Sequence, residues 1–371
     1  MRTGDDSRID CLTSLRFFAA AMIVWLHVGG AMGIPRLNNF ALGGGVSIFF
    51  VLSGFILTYR YPQLNSPKEI GLFLASRIAR IWPAYAVGVF LELYIVWNTR
   101  LYKAEFIPHL AINLAMIQTW VPTTWFADSF NLPSWSVSTE YFFYLAFPFL
   151  IASFERTWWW KLALAALSAM VMVTIAMAIK AEYGTGTVPG ILLMYEHPLA
   201  RILEFVIGMC AALVYRRVAH MQFRSSMATI AEAAVVSILI ATVYRWGTEY
   251  IDNHLGRWYY AGPDLALPAA AVIVVMALQR GAISRVLAAR PLVFLGEISY
   301  SIFLIHYPIA RLMGDAIKKY PESPPWAWGV GYVAIVLLAS CAIYFIVERP
   351  MRRAIVWGAR WVLERRKLQE A

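Results

Sequence analysis

Two ionisable side chains, Arg16 and His27, stand inside the first long apolar segment of the chain. Their spacing of eleven residues places them, on an α-helix, within roughly 20° of one face and about 16 Å apart along the axis. Ionisable groups at membrane depth are costly, so each is a candidate for function. Arg16 reaching out to the headgroups and His27 bonding to a backbone carbonyl are the structural alternatives. Neither alternative explains the shared face.

A second pair of cations, Arg77 and Arg80, opens the third apolar segment. Residues at i and i+3 lie side by side on a helix. Two guanidinium groups so placed suit a phosphate or a pyrophosphate. The alternative, which the pattern leaves open, is ordinary basic charge at the cytoplasmic membrane edge, in contact with lipid phosphate.

Glu140 and Tyr144 share a helix face in the segment that begins at Trp135 and Ser136. Measured from the ends of their segments, Glu140 and His27 each lie about two turns beneath the outer surface. A carboxylate and an imidazole at equal depth can form a base and its orienting partner. The alternative is a helix-packing hydrogen bond, or an ion pair with an arginine.

The ninth apolar segment gathers Glu297, Ser299, Tyr300 and His306. His306 falls in the outer half of the segment, again at the depth expected of His27, although a structural role is the simpler interpretation. The candidate substrate-binding residues are Trp135, Ser136, Tyr144, Tyr300 and His306.

Two further patterns predict packing rather than chemistry. Glu204 follows Arg201 by one turn, which indicates a local ion pair. Ser53 and Gly54 in the second segment favour close approach of a neighbouring helix.

Composition places the chain in a membrane. Of its 371 residues, 60% are hydrophobic and 15% are charged, against roughly 25% charged in an average soluble protein. The mean hydropathy of +0.60 agrees. The 15 Trp and 19 Tyr suit interfacial belts. Three widely spaced cysteines argue against a disulfide framework and against a CxxC metal site, and no metal is expected.

About ten stretches are long enough to span a bilayer. We therefore predict an all-α fold, a polytopic membrane helix bundle of about ten transmembrane helices. Residues 1–350 form one membrane domain and 351–371 a basic cytoplasmic tail that lies on anionic lipid. The stretch 106–122, bounded by Pro108 and Pro122, is predicted to be interfacial or re-entrant. The spans are 12–33, 42–59, 79–98, 134–153, 158–179, 198–215, 227–246, 259–279, 292–313 and 327–347.

The distribution of basic residues predicts the orientation. Roughly two-thirds of the 32 Lys and Arg fall on the side of the N-terminus, which places both termini in the cytoplasm. The same bias explains the net charge of +10 without a nucleic-acid partner. Acidic residues near the N-terminus and the lack of a cleavage pattern indicate a retained first anchor rather than a signal peptide.

Taken together in order and spacing, seven stretches resemble the acyltransferase 3 family of bacterial membrane proteins, and the likeness covers nearly the whole chain. Any one of them alone is a weak signal. The matching pieces are Leu15-Arg16 with His27, Gly45–Phe55, Arg77 and Arg80 with Pro83, Ser134–Tyr144, Glu204-Phe205 with Gly208, Ser299–His306, and Glu348-Arg349-Pro350.

The resemblance implies a multi-pass enzyme of the bacterial inner membrane that moves an acyl group, usually acetyl, from cytoplasmic acyl-CoA to a hydroxyl of a glycan or lipid-linked sugar. It implies that His27 is catalytic, as base or transient nucleophile, with Arg16 and Glu140 in the same site. Acyl-CoA would be held by Arg77, Arg80 and Arg16.

Some members of that family carry a C-terminal SGNH-type domain, and this chain ends too early for one. We therefore expect it to act alone or to pass its acyl group to a separate periplasmic transferase. The alternative function is a transporter or flippase, since buried charges also serve transport pathways. That alternative predicts internal repeats and interrupted helices, which are not apparent in the sequence.

Overall fold

The computed structural model describes residues 8–96, 106–121, 129–183, 188–249, 263–320 and 322–369. Within these residues every regular element is helical, which confirms the predicted all-α class. A π-helical segment, Tyr344–Glu348, joins the last two helices. In chain order the α-helices are α1 (Asp10–Val28), α2 (Gly45–Arg60), α3 (Pro67–Val96), α4 (Phe106–Leu114), α5 (Trp135–Ile151), α6 (Phe154–Tyr183), α7 (Val188–Tyr195), α8 (Pro198–Val218), α9 (Ser225–Glu249), α10 (Pro263–Ala277), α11 (Ala282–Leu287), α12 (Arg290–Lys319), α13 (Pro325–Ile343) and α14 (Arg349–Gln369).

Eight helical stretches in the described part of the chain are long and apolar enough to cross a membrane. The predicted spans 134–153 and 259–279 correspond instead to shorter helices, α5 and α10. The 15 residues of α10 rise about 22 Å, less than the roughly 30 Å hydrocarbon core; residues 259–262 lie outside the described ranges. The polytopic class is confirmed, while the count of ten is reached only if α5 and α10 also cross.

The stretch 106–122 contains a short helix, α4, of nine residues. A helix of that length rises about 14 Å and cannot span the core. This agrees with the predicted non-spanning segment; Pro122 is outside the described residues.

Close helix contacts set the register of the bundle. A side chain at Gly54 of α2 would meet the Phe205 carbonyl oxygen of α8 at 2.0 Å, and one at Gly208 would meet Val51 at the same distance. The backbones of α2 and α8 therefore touch through these glycines, as small residues permit in membrane bundles. The close approach predicted from Gly54 is confirmed.

A buried cation anchors this α2–α8 contact. Arg201 donates from Nε and Nη2 to the Glu204 carboxylate, at 2.7 and 2.9 Å, and from Nη2 to Ser47 Oγ at 3.1 Å. Its guanidinium also stacks on the rings of Phe50 and Trp135. The predicted local ion pair is confirmed, and these contacts supply the partners that a buried charge requires.

The predicted basic tail is helical. It forms α14, which packs against α3, while Trp357, Trp361 and Val362 stay exposed. Its placement on anionic lipid stays a prediction.

Candidate active site

The last turn of α1 and the middle of α12 bring two histidines together. His27 Nδ1 lies 2.8 Å from His306 Nε2, and the two rings stack with centroids 5.1 Å apart. α1 packs directly against α12. Gly296 of α12 lies against the Thr13 carbonyl, and the two histidines meet nearer the C-terminal ends, so the two helices run parallel.

The hydrogen bonds of His306 determine which nitrogen of His27 is free. His306 Nδ1 lies 2.6 Å from the carbonyl oxygen of Phe303, which can only accept, so Nδ1 carries the proton. With both rings neutral, His306 Nε2 is then an acceptor and His27 Nδ1 donates to it. His27 Nε2 keeps its lone pair, and no residue in the described ranges hydrogen-bonds to it. That nitrogen is suited to act as a base or as a nucleophile.

The hydrogen bonds of His306 favour a role other than the predicted binding of substrate. Both ring nitrogens of His306 are engaged, one with Phe303 and one with His27, and the residue is fully buried. Its position matches that of a partner that orients His27 rather than a group that binds substrate directly.

Glu140 is not the partner of His27. Its carboxylate accepts from Ser53 Oγ at 3.1 Å and from the Tyr144 hydroxyl. The predicted equal depth was wrong because α5 does not begin level with the end of α1: its first residue, Trp135, packs on Phe50 of α2. α2 itself begins beside Ala19, about two turns short of His27, and Ser53, the partner of Glu140, lies eight residues further down. Glu140 therefore sits toward the level of Arg16, with which it interacts electrostatically.

The remaining substrate-binding candidates have other partners. The Tyr300 hydroxyl donates to the Ile81 carbonyl at 2.9 Å and so ties α12 to α3. Ser136 Oγ donates to the Pro133 carbonyl at 3.0 Å, and Trp135 packs on Arg201. These contacts give no support to a substrate-binding role for Tyr300, Ser136 or Trp135; Tyr144 stays beside Glu140.

A cavity of about 350 Å³ opens at the opposite end of α1 from His27. The three predicted phosphate ligands, Arg16, Arg77 and Arg80, all line it. Sequence reasoning missed three further arginines, Arg8, Arg60 and Arg352, because they lie at the ends of separate elements and form no local motif. The cavity also contains Glu297 and Glu348.

The charges in this cavity favour an anion. Six arginines and two glutamates give it a formal charge of +4. Arg77 is buried and lies against the rings of Tyr61 and Phe73, which hold its guanidinium in place. Arg8 pairs with Glu297 at 2.5 Å, and Glu348 accepts from Ser301 Oγ at 3.3 Å. Guanidinium groups arranged in this way suit a ligand with several phosphates.

The histidine pair and the arginine cavity therefore lie at the two ends of α1, about 16 Å apart along its axis. A polytopic helical protein with a free imidazole nitrogen at one depth and an anion cavity at another has the layout of a membrane-embedded group-transfer enzyme.

Comparison with known proteins places it more narrowly. Residues 9–345 match the family model described as an acyltransferase domain, and the chain belongs to this acyltransferase 3 family of membrane acyltransferases. This favours the first of the two classes left open by the sequence, because the family is one of membrane acyltransferases.

Three relatives show the extent of the likeness. The chain is 28% identical to the acyltransferase MdmB of Streptomyces mycarofaciens, over 94% of this chain and 92% of that one. It is 26% identical to the peptidoglycan O-acetyltransferase OatA of Listeria monocytogenes, over 93% of this chain and 56% of the relative. It is 24% identical to the O-acetyltransferase OatA of Staphylococcus aureus, over 92% and 57%. The chain thus spans a little over half the length of both OatA proteins. No solved structure matches the chain.

Proposed function

We propose that this protein transfers an acyl group, acetyl in the simplest case, from cytoplasmic acyl-CoA to a hydroxyl of a cell-surface or exported glycan. The observation that carries the proposal is the His27–His306 pair, which leaves His27 Nε2 free. Base catalysis by one positioned group typically contributes about 10²–10⁴-fold.

The donor is assigned from the arginine cavity. A CoA thioester carries a diphosphate and a 3′-phosphate, and the formal charge of +4 in the cavity is of the right sign and size to balance them. Arg77 and Arg80, with Arg16 deeper on α1, would hold these phosphates. The pantetheine arm would then extend along the bundle interior toward His27, which puts donor binding on the cytoplasmic side of a bacterial inner membrane.

In the direct version of the reaction, His27 Nε2 takes the proton of the acceptor hydroxyl while the hydroxyl oxygen attacks the thioester carbonyl carbon. The carbon–sulfur bond then breaks, and the proton passes from His27 to the CoA sulfur. His306 stabilises the His27 imidazolium, because His306 Nε2 accepts the hydrogen bond from His27 Nδ1 throughout the reaction.

In the two-step version, His27 Nε2 itself attacks the carbonyl carbon and CoA leaves as a thiolate. The acceptor hydroxyl then attacks the acyl-imidazole, and its proton is taken up by the released thiolate or by solvent. Both versions use the same nitrogen and the same tautomer.

Glu140 has a different role in this scheme from the one expected. Because it lies near Arg16 and accepts from Tyr144, it would hold that arginine in position at the top of the donor cavity. It acts as a positioning residue for the donor site, and His306 takes over the orientation of the base.

The acceptor class is inferred from the relatives. The OatA proteins are O-acetyltransferases by name, in one case of peptidoglycan, and a glycan hydroxyl is an acceptor that the base His27 could deprotonate. The acceptor would be a glycan or a lipid-linked sugar, or the acyl group would pass to a separate periplasmic transferase.

The test is transfer of label from [¹⁴C]acetyl-CoA into the envelope glycan fraction by membranes that contain the intact chain, His27→Ala or His220→Ala. His220 is an exposed histidine after α8 and serves as the matched control. We expect alkali-labile label with the intact chain and with the His220 variant, and none with the His27 variant. Undiminished transfer by a folded His27→Ala protein would overturn the proposal.

A further inference from the structure

The face between α3 and α12 holds polar atoms that the reaction scheme does not use. Arg311 of α12 pairs with Glu92 of α3 through one carboxylate oxygen. Glu92 is fully buried, and its second oxygen, Oε2, has no hydrogen-bond partner in the described part of the structure. An unpartnered buried carboxylate oxygen is expensive, so its retention calls for a physical cause.

A second unpartnered oxygen lies on the same face. Asn131 Nδ2 donates to the Leu304 carbonyl at 2.7 Å, which fixes the orientation of the amide. Its Oδ1 is buried and, among the described residues, also lacks a partner. A side chain at Gly88 of α3 would approach both Asn131 Nδ2 and the Leu304 carbonyl, at 3.2 and 3.3 Å, so the three residues are neighbours.

Helix geometry brings these groups together. Glu92 lies one turn beyond Gly88 on the same face of α3. Arg311 lies seven residues beyond Leu304, within roughly 20° of the same face of α12. The contact between α3 and α12 therefore contains two buried, unpartnered oxygens that can only accept, together with an arginine side chain that is 39% exposed.

The face between α3 and α12 lies close, along the axis of α12, to the histidine pair that contains the base. His306 is two residues from Leu304 and five from Arg311, so Arg311 lies about 7.5 Å along the axis from the histidine pair, on the side away from the arginine cavity. The donor cavity lies at the other end of the helices. Measured along the axis of α12, a ligand at the α3–α12 face would lie on the opposite side of the histidine pair from the donor.

We propose that Glu92, Asn131 and Arg311 form the subsite that binds the acceptor, through hydroxyls next to the one that is acylated. This rests on the proposed function. A hydroxyl both donates and accepts, so a polyol supplies protons to Glu92 Oε2 and Asn131 Oδ1 and accepts from Arg311. A sugar satisfies all three groups, whereas an acceptor without neighbouring hydroxyls leaves them unpaired and binds far less well.

The competing explanation is a structural ion pair that holds α3 against α12, with water on the free oxygens. The double variant Glu92→Leu with Arg311→Met separates the two, because replacing both partners of a buried pair by apolar groups is often neutral for stability. The single variant Glu92→Gln, which keeps the shape, provides a second measurement. Lys318→Met removes a cation from the exposed end of α12 and is the matched control.

Two rates are measured on each full-length protein in membranes: hydrolysis of [¹⁴C]acetyl-CoA without acceptor, and transfer of label to the envelope glycan fraction. We expect both Glu92 variants to keep hydrolysis within about twofold and to lose transfer by about 10- to 100-fold, from the loss of charged hydrogen bonds. The Lys318 variant should keep both rates.

If either folded Glu92 variant transfers label at a rate within about twofold of the intact chain, the subsite is overturned. The result would then support a structural ion pair whose free oxygens bind only water. If the double variant loses hydrolysis as well as transfer, the Glu92→Gln variant distinguishes the two explanations. Equal loss of hydrolysis and transfer in Glu92→Gln also overturns the subsite. Absence of both rates in the intact chain would instead refute the proposed function itself, so the two failures are distinguishable.

Discussion

The free nitrogen of His27 depends on a backbone carbonyl as much as on the two rings. The Phe303 carbonyl fixes the proton on His306 Nδ1, and this leaves His306 Nε2 to accept from His27. A residue at position 306 that could not accept this hydrogen bond would leave the His27 ring free to turn, and Nδ1 rather than Nε2 could then face the substrate.

Replacement of His306 by alanine is therefore expected to lower kcat for acetyl transfer by about 10²-fold, the lower range for a positioned base. The KM for acetyl-CoA should change little, because the donor cavity lies at the other end of α1. Steady-state kinetics in membranes would check this. The matched control is Tyr332→Phe, which removes only the hydroxyl that donates to the His306 backbone carbonyl. An unchanged kcat in the His306 variant would refute its role in orienting the base.

The arginines of the donor cavity predict the opposite kinetic pattern. Arg77→Gln should raise the KM for acetyl-CoA by about 10- to 100-fold, as expected for lost hydrogen bonds to a charged group, with little change in kcat at saturating donor. Arg216→Gln is the control, because Arg216 pairs with Glu155 outside the cavity. A fall in kcat with unchanged KM would place Arg77 in the chemical step instead.

At the scale of elements, the register of α1 against α12 decides whether the two histidines meet. That register rests on Gly296, whose missing side chain lets the helix lie on the Thr13 carbonyl. The π-helical segment that follows the C-terminal end of α13 also positions site residues, because both Tyr344 and Glu348 line the donor cavity. Such segments often mark functional sites.

A methyl group at Gly296 would lie 2.0 Å from the Thr13 oxygen. Gly296→Ala should therefore destabilise the fold by about 1–3 kcal/mol and reduce transfer by displacing His306. A methyl group at Gly314 of the same helix would meet no atom within 4 Å, so Gly314→Ala should lower neither the stability of the fold nor the rate of transfer. Thermal unfolding in detergent, together with the transfer assay, gives the comparison, and equal behaviour of the two variants would contradict the assigned contact.

For the whole molecule, the donor cavity offers a consistency check on the predicted orientation. Its lining comes from the start of α1, the end of α2, the first half of α3, the start of α12 and the α13–α14 junction. An orientation with both termini in the cytoplasm, in which α5 and α10 cross as the shorter spans, puts all these positions on the cytoplasmic side. Acyl-CoA is made on that side, so the orientation and the proposed donor agree.

Cysteine labelling would test the orientation directly. In a chain whose Cys11, Cys210 and Cys341 are replaced by alanine, we expect Lys318→Cys to react with an impermeant maleimide in intact spheroplasts. Arg224→Cys should react only after permeabilisation. Both side chains are exposed. The reverse pattern would invert the predicted topology and remove the cytoplasmic entry of the donor.

Sequence by itself determined the class of this protein and part of its site. The all-α membrane fold follows from apolar runs long enough to cross a bilayer, and these are properties of neighbouring residues. Arg77 and Arg80 were predicted as phosphate ligands because two guanidinium groups one helical turn apart suit a phosphate. Arg16 was added to them through the family resemblance, and all three line one cavity. That His27 would be an important group also followed from its position within α1.

Only the tertiary structure decided which groups meet. The partner of His27 is 279 residues away, and the contact depends on the parallel packing of α1 and α12. Depth counted along separate segments paired His27 with Glu140 wrongly, because α5 begins beside Phe50 of α2, deep in the bundle, rather than level with the end of α1. The sequence did not single out Arg8, Arg60 and Arg352 as cavity residues, and it did not pair Glu92 with Arg311. These residues come together only when distant helices pack. Helix register and the depth at which each helix begins arise from contacts between distant segments, which local pattern does not encode.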